Sequence, residues 1–172
     1  CIMAGSLLPP LLIGVALTNH VRGLPIDQDM EFVGNLFTLL NPFGLLGGLV
    51  TLTLFATHGA MFVALKTDGA IRVRARELSV KLGLVAAVLA VIFLVWTLIK
   101  SGWELPALVL FALAAVSLLG AIFMATKGRE GWAFVGTFLT IALAVAGLFV
   151  VLFPAVMPAS NDPALSLMAG HN

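Results

Sequence analysis

Residues 41–60, NPFGLLGGLVTLTLFATHGA, decide the fold. The run enters on Asn41-Pro42, holds Gly44, Gly47 and Gly48, has no charged side chain, and carries His58 near its far end. A hydrocarbon layer about 30 Å thick needs about 20 helical residues to cross it, with every backbone polar group satisfied inside the segment. The charge-free run extends from position 42 to position 65, which is long enough. An imidazole at that depth asks for a partner on another helix, because hydrocarbon offers none.

The rest of the chain has the same character. Hydrophobic residues make up 61% and charged residues 10%, with a mean hydropathy of +1.14; a soluble domain carries charge on about a quarter of its residues. Five stretches reach or approach spanning length: 2–20, 42–66, 80–100, 105–126 and 131–157. All nine basic and all eight acidic residues fall between them or at their ends, as the cost of a charge in lipid requires. The expected fold class is all-α, a polytopic transmembrane helical bundle with five spans, forming a single membrane domain over residues 1–172. No soluble segment is long enough to bury its own core. The one cysteine, Cys1, excludes an internal disulfide and a cysteine-based metal cage. The chain opens on Cys1, within a hydrophobic segment and without the basic flank and cleavage site of a signal peptide, so it reads as a piece of a longer protein.

Orientation follows from the basic residues. The connection after the second stretch carries Lys66, Arg72, Arg74, Arg76 and Lys81, and the one after the fourth carries Lys127 and Arg129. Arg72, Arg74, Arg76, Lys127 and Arg129 are the topology anchors, placing the loops 67–79 and 127–131 in the cytoplasm. The alternate connections are poor in Lys and Arg and face outward. That alternation leaves no need for a nucleic-acid patch. The outer connection 22–41 spaces Met30, Val33, Phe37 and Leu40 at helical intervals, the pattern of a short interfacial helix, although an ordered loop fits it too. The tail from Pro158 has the composition of an irregular segment. Trp96, Trp103 and Trp132 lie near span ends as interface anchors, and His20 with Arg22 anchors the end of the first span.

Chemistry needs converging polar groups, and few converge. There is no His-x-x-x-His, Gly-x-Ser-x-Gly or Walker loop, and no pair of intramembrane carboxylates. No catalytic, cofactor-binding or metal-ligating residue is assigned. The candidate buried polar and helix-packing residues are His58, Thr51, Gly44, Gly48 and Asn41. At about 100° per residue, Gly44, Gly48, Thr51, Phe55, His58 and Phe62 share one side of the second span, and Gly44-x-x-x-Gly48 lets a neighbouring helix approach closely. His58 is then either a buried imidazole satisfied by a hydroxyl or carbonyl of another helix, or a proton-transferring or cofactor-adjacent group.

The run 34–69, GNLFTLLNPFGLLGGLVTLTLFATHGAMFVALKTDG, followed by Arg74 and Ala75, resembles the middle of subunit II of the prokaryotic cytochrome bd quinol oxidases. Residues 5–27, GSLLPPLLIGVALTNHVRGLPID, resemble the preceding span of that family. Residues 131–167, GWAFVGTFLTIALAVAGLFVVLFPAVMPASNDPALSL, resemble its penultimate span; Met168 stands where Thr is expected. On this alignment the family's first two spans and last span, with its Trp-Asp-Gly-Asn-type and Phe-Glu-Phe-Arg-type elements, have no counterpart here.

The resemblance implies a complex in a prokaryotic cell membrane that oxidises quinol, reduces dioxygen to water and takes the protons from the cytoplasm. It places haem b and haem d in a partner, subunit I, with which this chain forms a heterodimer. It gives this subunit the assembly interface and part of a proton-access route. It also admits a structural quinone, small accessory membrane subunits and bound lipid. It favours structural support over redox work for His58. Two other readings stay open on the residues alone: a multi-span secondary transporter with the Asn-Pro entry as a broken helix, and a membrane assembly protein.

Overall fold

The computed structural model describes residues 2–25, 34–101, 105–153, 155–158, 160 and 166–168. Its helices are α1 (Ile2–Arg22), the single turn α2 (Leu36–Leu39), α3 (Pro42–Lys66), α4 (Gly69–Ser101), α5 (Leu105–Thr126) and α6 (Glu130–Leu152). Among the described residues, α1, α3, α4, α5 and α6 are long and apolar enough to cross a membrane. This is an all-α multi-pass membrane protein.

Local chemistry sets the ends. Asn41 caps α3, its Oδ1 accepting from Gly44 N–H at 2.9 Å, and Pro42 follows at the first helical position, where a missing N–H costs nothing. α5 stops at Gly128, whose φ of 71° a side chain would resist. There Gly128 N–H bonds to Ala125 O at 3.0 Å and Arg129 N–H to Met124 O at 2.9 Å, the paired closure that returns a helix end on itself.

The stretch 67–79, expected as a loop, is helical from Gly69 onward. After Gly69 the Ile, Arg, Ala, Glu, Leu and Lys residues are mostly good helix formers with no breaker among them, so α4 continues past its hydrophobic part. At about 1.5 Å per residue its 33 residues reach about 50 Å, well beyond a 30 Å hydrocarbon layer. The last helix ends at Leu152, short of position 157, just ahead of Pro154. In the tail, β1 (Ala155–Met157) pairs antiparallel with β2 (Leu167–Met168). Leu24 N–H bonds to Pro158 O at 2.9 Å and Ser160 N–H to Leu24 O at 2.8 Å, tying the end of α1 to this tail. Most of the expected interfacial helix, residues 26–33, and Trp103 lie outside the described residues.

Helices α3, α4, α5 and α6 pack in a ring, each touching the next and α6 returning to α3, while α1 lies along α3. The buried stripes repeat on alternating steps of four and three. In α3 they fall on Phe43, Gly47, Val50, Leu54, Thr57, Met61 and Ala64; in α5 on Ala107, Phe111, Ala114, Leu118, Ala121 and Ala125. That is the 3.5-residue period of helices supercoiled around each other. Phe43 stacks on Phe93 at 5.3 Å between centroids and meets Trp96 at the same distance, filling the α3–α4 contact at the Pro42 end of α3.

Candidate functional site

Small residues bring α1 and α3 together. A side chain on Gly47 would collide with Thr18, and a Cβ on Gly14 would lie 2.7 Å from Gly47 O and 2.8 Å from Gly48 Cα. The two backbones are therefore as close as glycine permits. Thr18 and Thr51 turn their hydroxyls back to carbonyls of their own helices, Gly14 O at 2.7 Å and Gly47 O at 3.0 Å. At the end of this seam where α1 stops and α3 begins, Asn19, buried to 2% exposure, donates from Nδ2 to Val15 O at 2.8 Å and Leu39 O at 2.7 Å. Its Oδ1 accepts from Asn41 Nδ2. The two asparagines thus join the end of α1, the turn α2 and the start of α3 in one saturated network.

His58 sits one face away. Its Nδ1 lies 2.8 Å from Thr137 Oγ1 on α6, and its ring stacks on Phe134 at 4.3 Å with 25° between planes. Thr137 Oγ1 is also 2.9 Å from Phe134 O and 3.2 Å from Ala133 O. With its one proton directed there, the hydroxyl accepts from His58 Nδ1–H, which leaves Nε2 as the acceptor nitrogen. The sequence-expected face is divided between neighbours. Gly44, Gly48 and Thr51 meet α1, His58 meets α6, and Phe55 and Phe62 are exposed. Gly44 and Gly48 are buried, and the buried stripe continues through Val50, Leu54, Thr57 and Met61. Hydropathy could not orient a helix that is apolar all round; the spacing of small residues in α3 and α5 carries that information.

The basic connections meet at one end of the bundle. Arg72 grips Glu130 with two bonds, Nε to Oε1 at 3.1 Å and a terminal nitrogen to Oε2 at 2.8 Å, and Arg76 adds a third contact at 3.4 Å. Glu130 is 4% exposed at the first turn of α6, where a carboxylate also suits the helix dipole. Sequence reasoning treated these arginines as topology anchors and missed Glu130. A lone acid directly after a basic turn was the available signal. Arg74 points outward, Lys127 Nζ lies 5.4 Å above the Phe123 ring, and Arg129 is exposed beside Trp132.

Inside the ring, and open toward α1, is an apolar cavity of about 250 Å³. Its polar lining is limited to the hydroxyls of Thr18, Thr51 and Thr140, with no His, Cys or Met. Among the described residues no group of three or more His, Cys, Asp or Glu comes together. A haem does not fit this cavity, because no His, Cys or Met lines it to serve as an axial ligand. Among the described residues, these polar groups bond to one another and to backbone carbonyls across helix contacts, which holds the helices together.

Comparison with known proteins gives this architecture its relatives. Residues 1–171 match the sequence model of the family described as cytochrome bd terminal oxidase subunit II. The cytochrome bd ubiquinol oxidase subunit 2 of Bacillus subtilis is 33% identical over 174 residues, covering 97% of this chain and 51% of that protein. The probable cytochrome oxidase subunit 2 of Haemophilus influenzae is 32% identical, covering 97% and 54%, and the cytochrome bd-I ubiquinol oxidase subunit 2 of Escherichia coli K12 is 31% identical, covering 93% and 52%. The chain spans about half the length of the curated relatives it matches. With five membrane-length helices in the order that its sequence elements require and a match over nearly all of its residues, this chain belongs to the cytochrome bd terminal oxidase subunit II family.

Proposed function

We propose that the chain is the non-haem subunit II of a quinol-oxidising, dioxygen-reducing membrane complex of a prokaryotic respiratory chain. The observation that carries this reading is the match of residues 1–171 to this family on a bundle of five membrane-length helices. The haem b and haem d of the complex then belong to the larger partner, subunit I. This chain forms the wall against which that partner is assembled and lines part of its proton access. A structural quinone in this subunit would find room for its hydrocarbon tail in the apolar cavity. The meeting of both basic connections at one end supports a cytoplasmic location for Arg72, Arg74, Arg76, Lys127 and Arg129.

Purification of the native assembly tests this. The expected result is co-isolation with a larger haem-bearing membrane subunit, a reduced haem d band in the red, and quinol-dependent oxygen uptake. A haem-free homo-oligomer that accumulates solute would replace this reading with that of a transporter. For His58, His58→Ala should lower the thermal stability of the complex and leave quinol oxidation measurable. Loss of oxygen reduction with assembly intact would make the imidazole functional instead of structural.

A further inference from the structure

Between α5 and α6, on the outer surface near the 127–129 turn, lies a groove of about 360 Å³. Its floor is Ser117, Gly120, Met124 and Gly136, and its mouth carries Arg129 and Trp132. We propose that this groove holds an anionic phospholipid from the leaflet bordering that turn, with the headgroup phosphate on Arg129 and one acyl chain along Gly120 toward Ser117.

Three observations converge on that occupant. The first is charge. Glu130, the acid next to Arg129 in sequence, turns inward to Arg72 and Arg76. Arg129 forms no ion pair among the described residues, and Lys127 adds a second cation to the same turn. An exposed guanidinium without a carboxylate, at the depth where headgroups lie, complements a phosphate with two parallel hydrogen bonds. Next is the rim. Trp132, 63% exposed, is the amphipathic residue that sits at headgroup level.

Length is the third. Ser117 lies nine helical positions before the end of α5 at Thr126, about 14 Å at 1.5 Å each, which matches one leaflet of a hydrocarbon layer about 30 Å thick. A partner helix would run the whole thickness, whereas this groove stops near the midplane. Gly120 keeps it open: a Cβ there would meet nothing within 4 Å, so no contact inside the protein requires glycine at that position. This inference rests on the membrane fold and on no catalytic reading.

The test is native mass spectrometry of the full-length protein in its purified assembly, equilibrated with phosphatidylglycerol, phosphatidylcholine or glycerol phosphate. Phosphatidylglycerol should be retained over phosphatidylcholine by about fivefold, the effect of one well-placed cation at a membrane surface. Arg129→Gln should erase that preference, and Arg129→Lys should restore much of it. Gly120→Leu should displace the lipid and leave the melting temperature unchanged, since it fills open space; Gly120→Ala should leave retention near wild type. Equal retention of both lipids, an unchanged preference in Arg129→Gln, or Arg129-dependent capture of glycerol phosphate as strong as that of lipid would overturn the proposal. So would Gly120→Leu stripping a protein subunit from the assembly with phosphatidylglycerol still bound, since the groove would then seat a helix.

Discussion

The α1–α3 seam and the interior of the α3–α6 ring solve the same problem in opposite ways. Along the seam Gly14, Gly47 and Gly48 remove side chains until backbone meets backbone. Inside the ring large side chains such as Phe93, Phe111 and Leu118 meet only partly and leave about 250 Å³ unfilled. In water an apolar cavity of that kind would be penalised as lost burial. In lipid, helices gain nothing from hiding apolar surface, so contact quality and saturated polar groups decide which neighbours stay together. The seam should therefore be intolerant of added volume and the ring interior forgiving.

The largest expected effect breaks the seam. Gly47→Val should destabilise the subunit by about 3 kcal/mol, the upper part of the range for overpacking, in equilibrium unfolding from mixed micelles. The obstruction is the Thr18 side chain, so Thr18→Ala should recover part of a Gly47→Ala loss. Gly14→Ala sharpens the contrast. It strikes Gly47 O and Gly48 Cα as well as the Thr51 hydroxyl, and Thr51→Ala should not rescue it. By comparison Ala144→Val, which points added volume at the cavity, should change stability by less than about 1 kcal/mol. Equal losses at Gly47 and Ala144 would erase the distinction between the two regions.

Next comes the Asn19–Asn41 end of the seam. Asn19→Ala removes the bonds to Leu39 O and from Asn41 Nδ2, leaving Asn41 Nδ2 with Thr38 O at 3.0 Å and Leu39 O at 3.3 Å, at about 1–2 kcal/mol. Asn19→Asp should be no milder, because Nδ2 makes two of the bonds and a carboxylate cannot donate them. A smaller loss is expected at the opposite end for Glu130→Ala, a fall of a few degrees in melting temperature. Its two arginine partners are 43% and 33% exposed, so water can take up their charges. Glu130→Gln should fall between wild type and Glu130→Ala.

Much of this molecule is legible in its sequence, and the boundary of legibility is physical. The membrane-length segments follow from where the charges stop, because lipid makes that constraint nearly absolute. The Asn41-Pro42 start of α3 follows from cap chemistry that is local in sequence. The extension of α4 through Arg72, Arg74 and Arg76 was hidden because a charged stretch leaving the membrane can be a loop or a helix at similar hydropathy. Partner choice was hidden more deeply. Gly47 meets Thr18 and Glu130 meets Arg72 only once chain segments far apart in sequence are side by side, and no period along one helix announces the other. The candidate set Gly44, Gly48, Thr51 and His58 therefore marked α3 as a packing helix without dividing its faces between α1 and α6.

The smallest effect belongs to the link between the two regions. His58 and Thr137 join α3, which carries the seam, to α6, which closes the ring. Hydrogen bonds between membrane helices average about 0.6 kcal/mol, because the separated helices find other partners. Thr137→Val should therefore cost about that much, and His58→Ala more, since it also removes the stacked contact with Phe134. A double-mutant cycle isolates the hydrogen bond from the stacking. Thr137→Ser, which keeps the hydroxyl, should retain most of the coupling, and Thr137→Val should retain none. A coupling several times larger than 0.6 kcal/mol would mean that α3 and α6 are locked as firmly as α1 and α3, and that the forgiving ring is closed by a polar bolt instead of by packing.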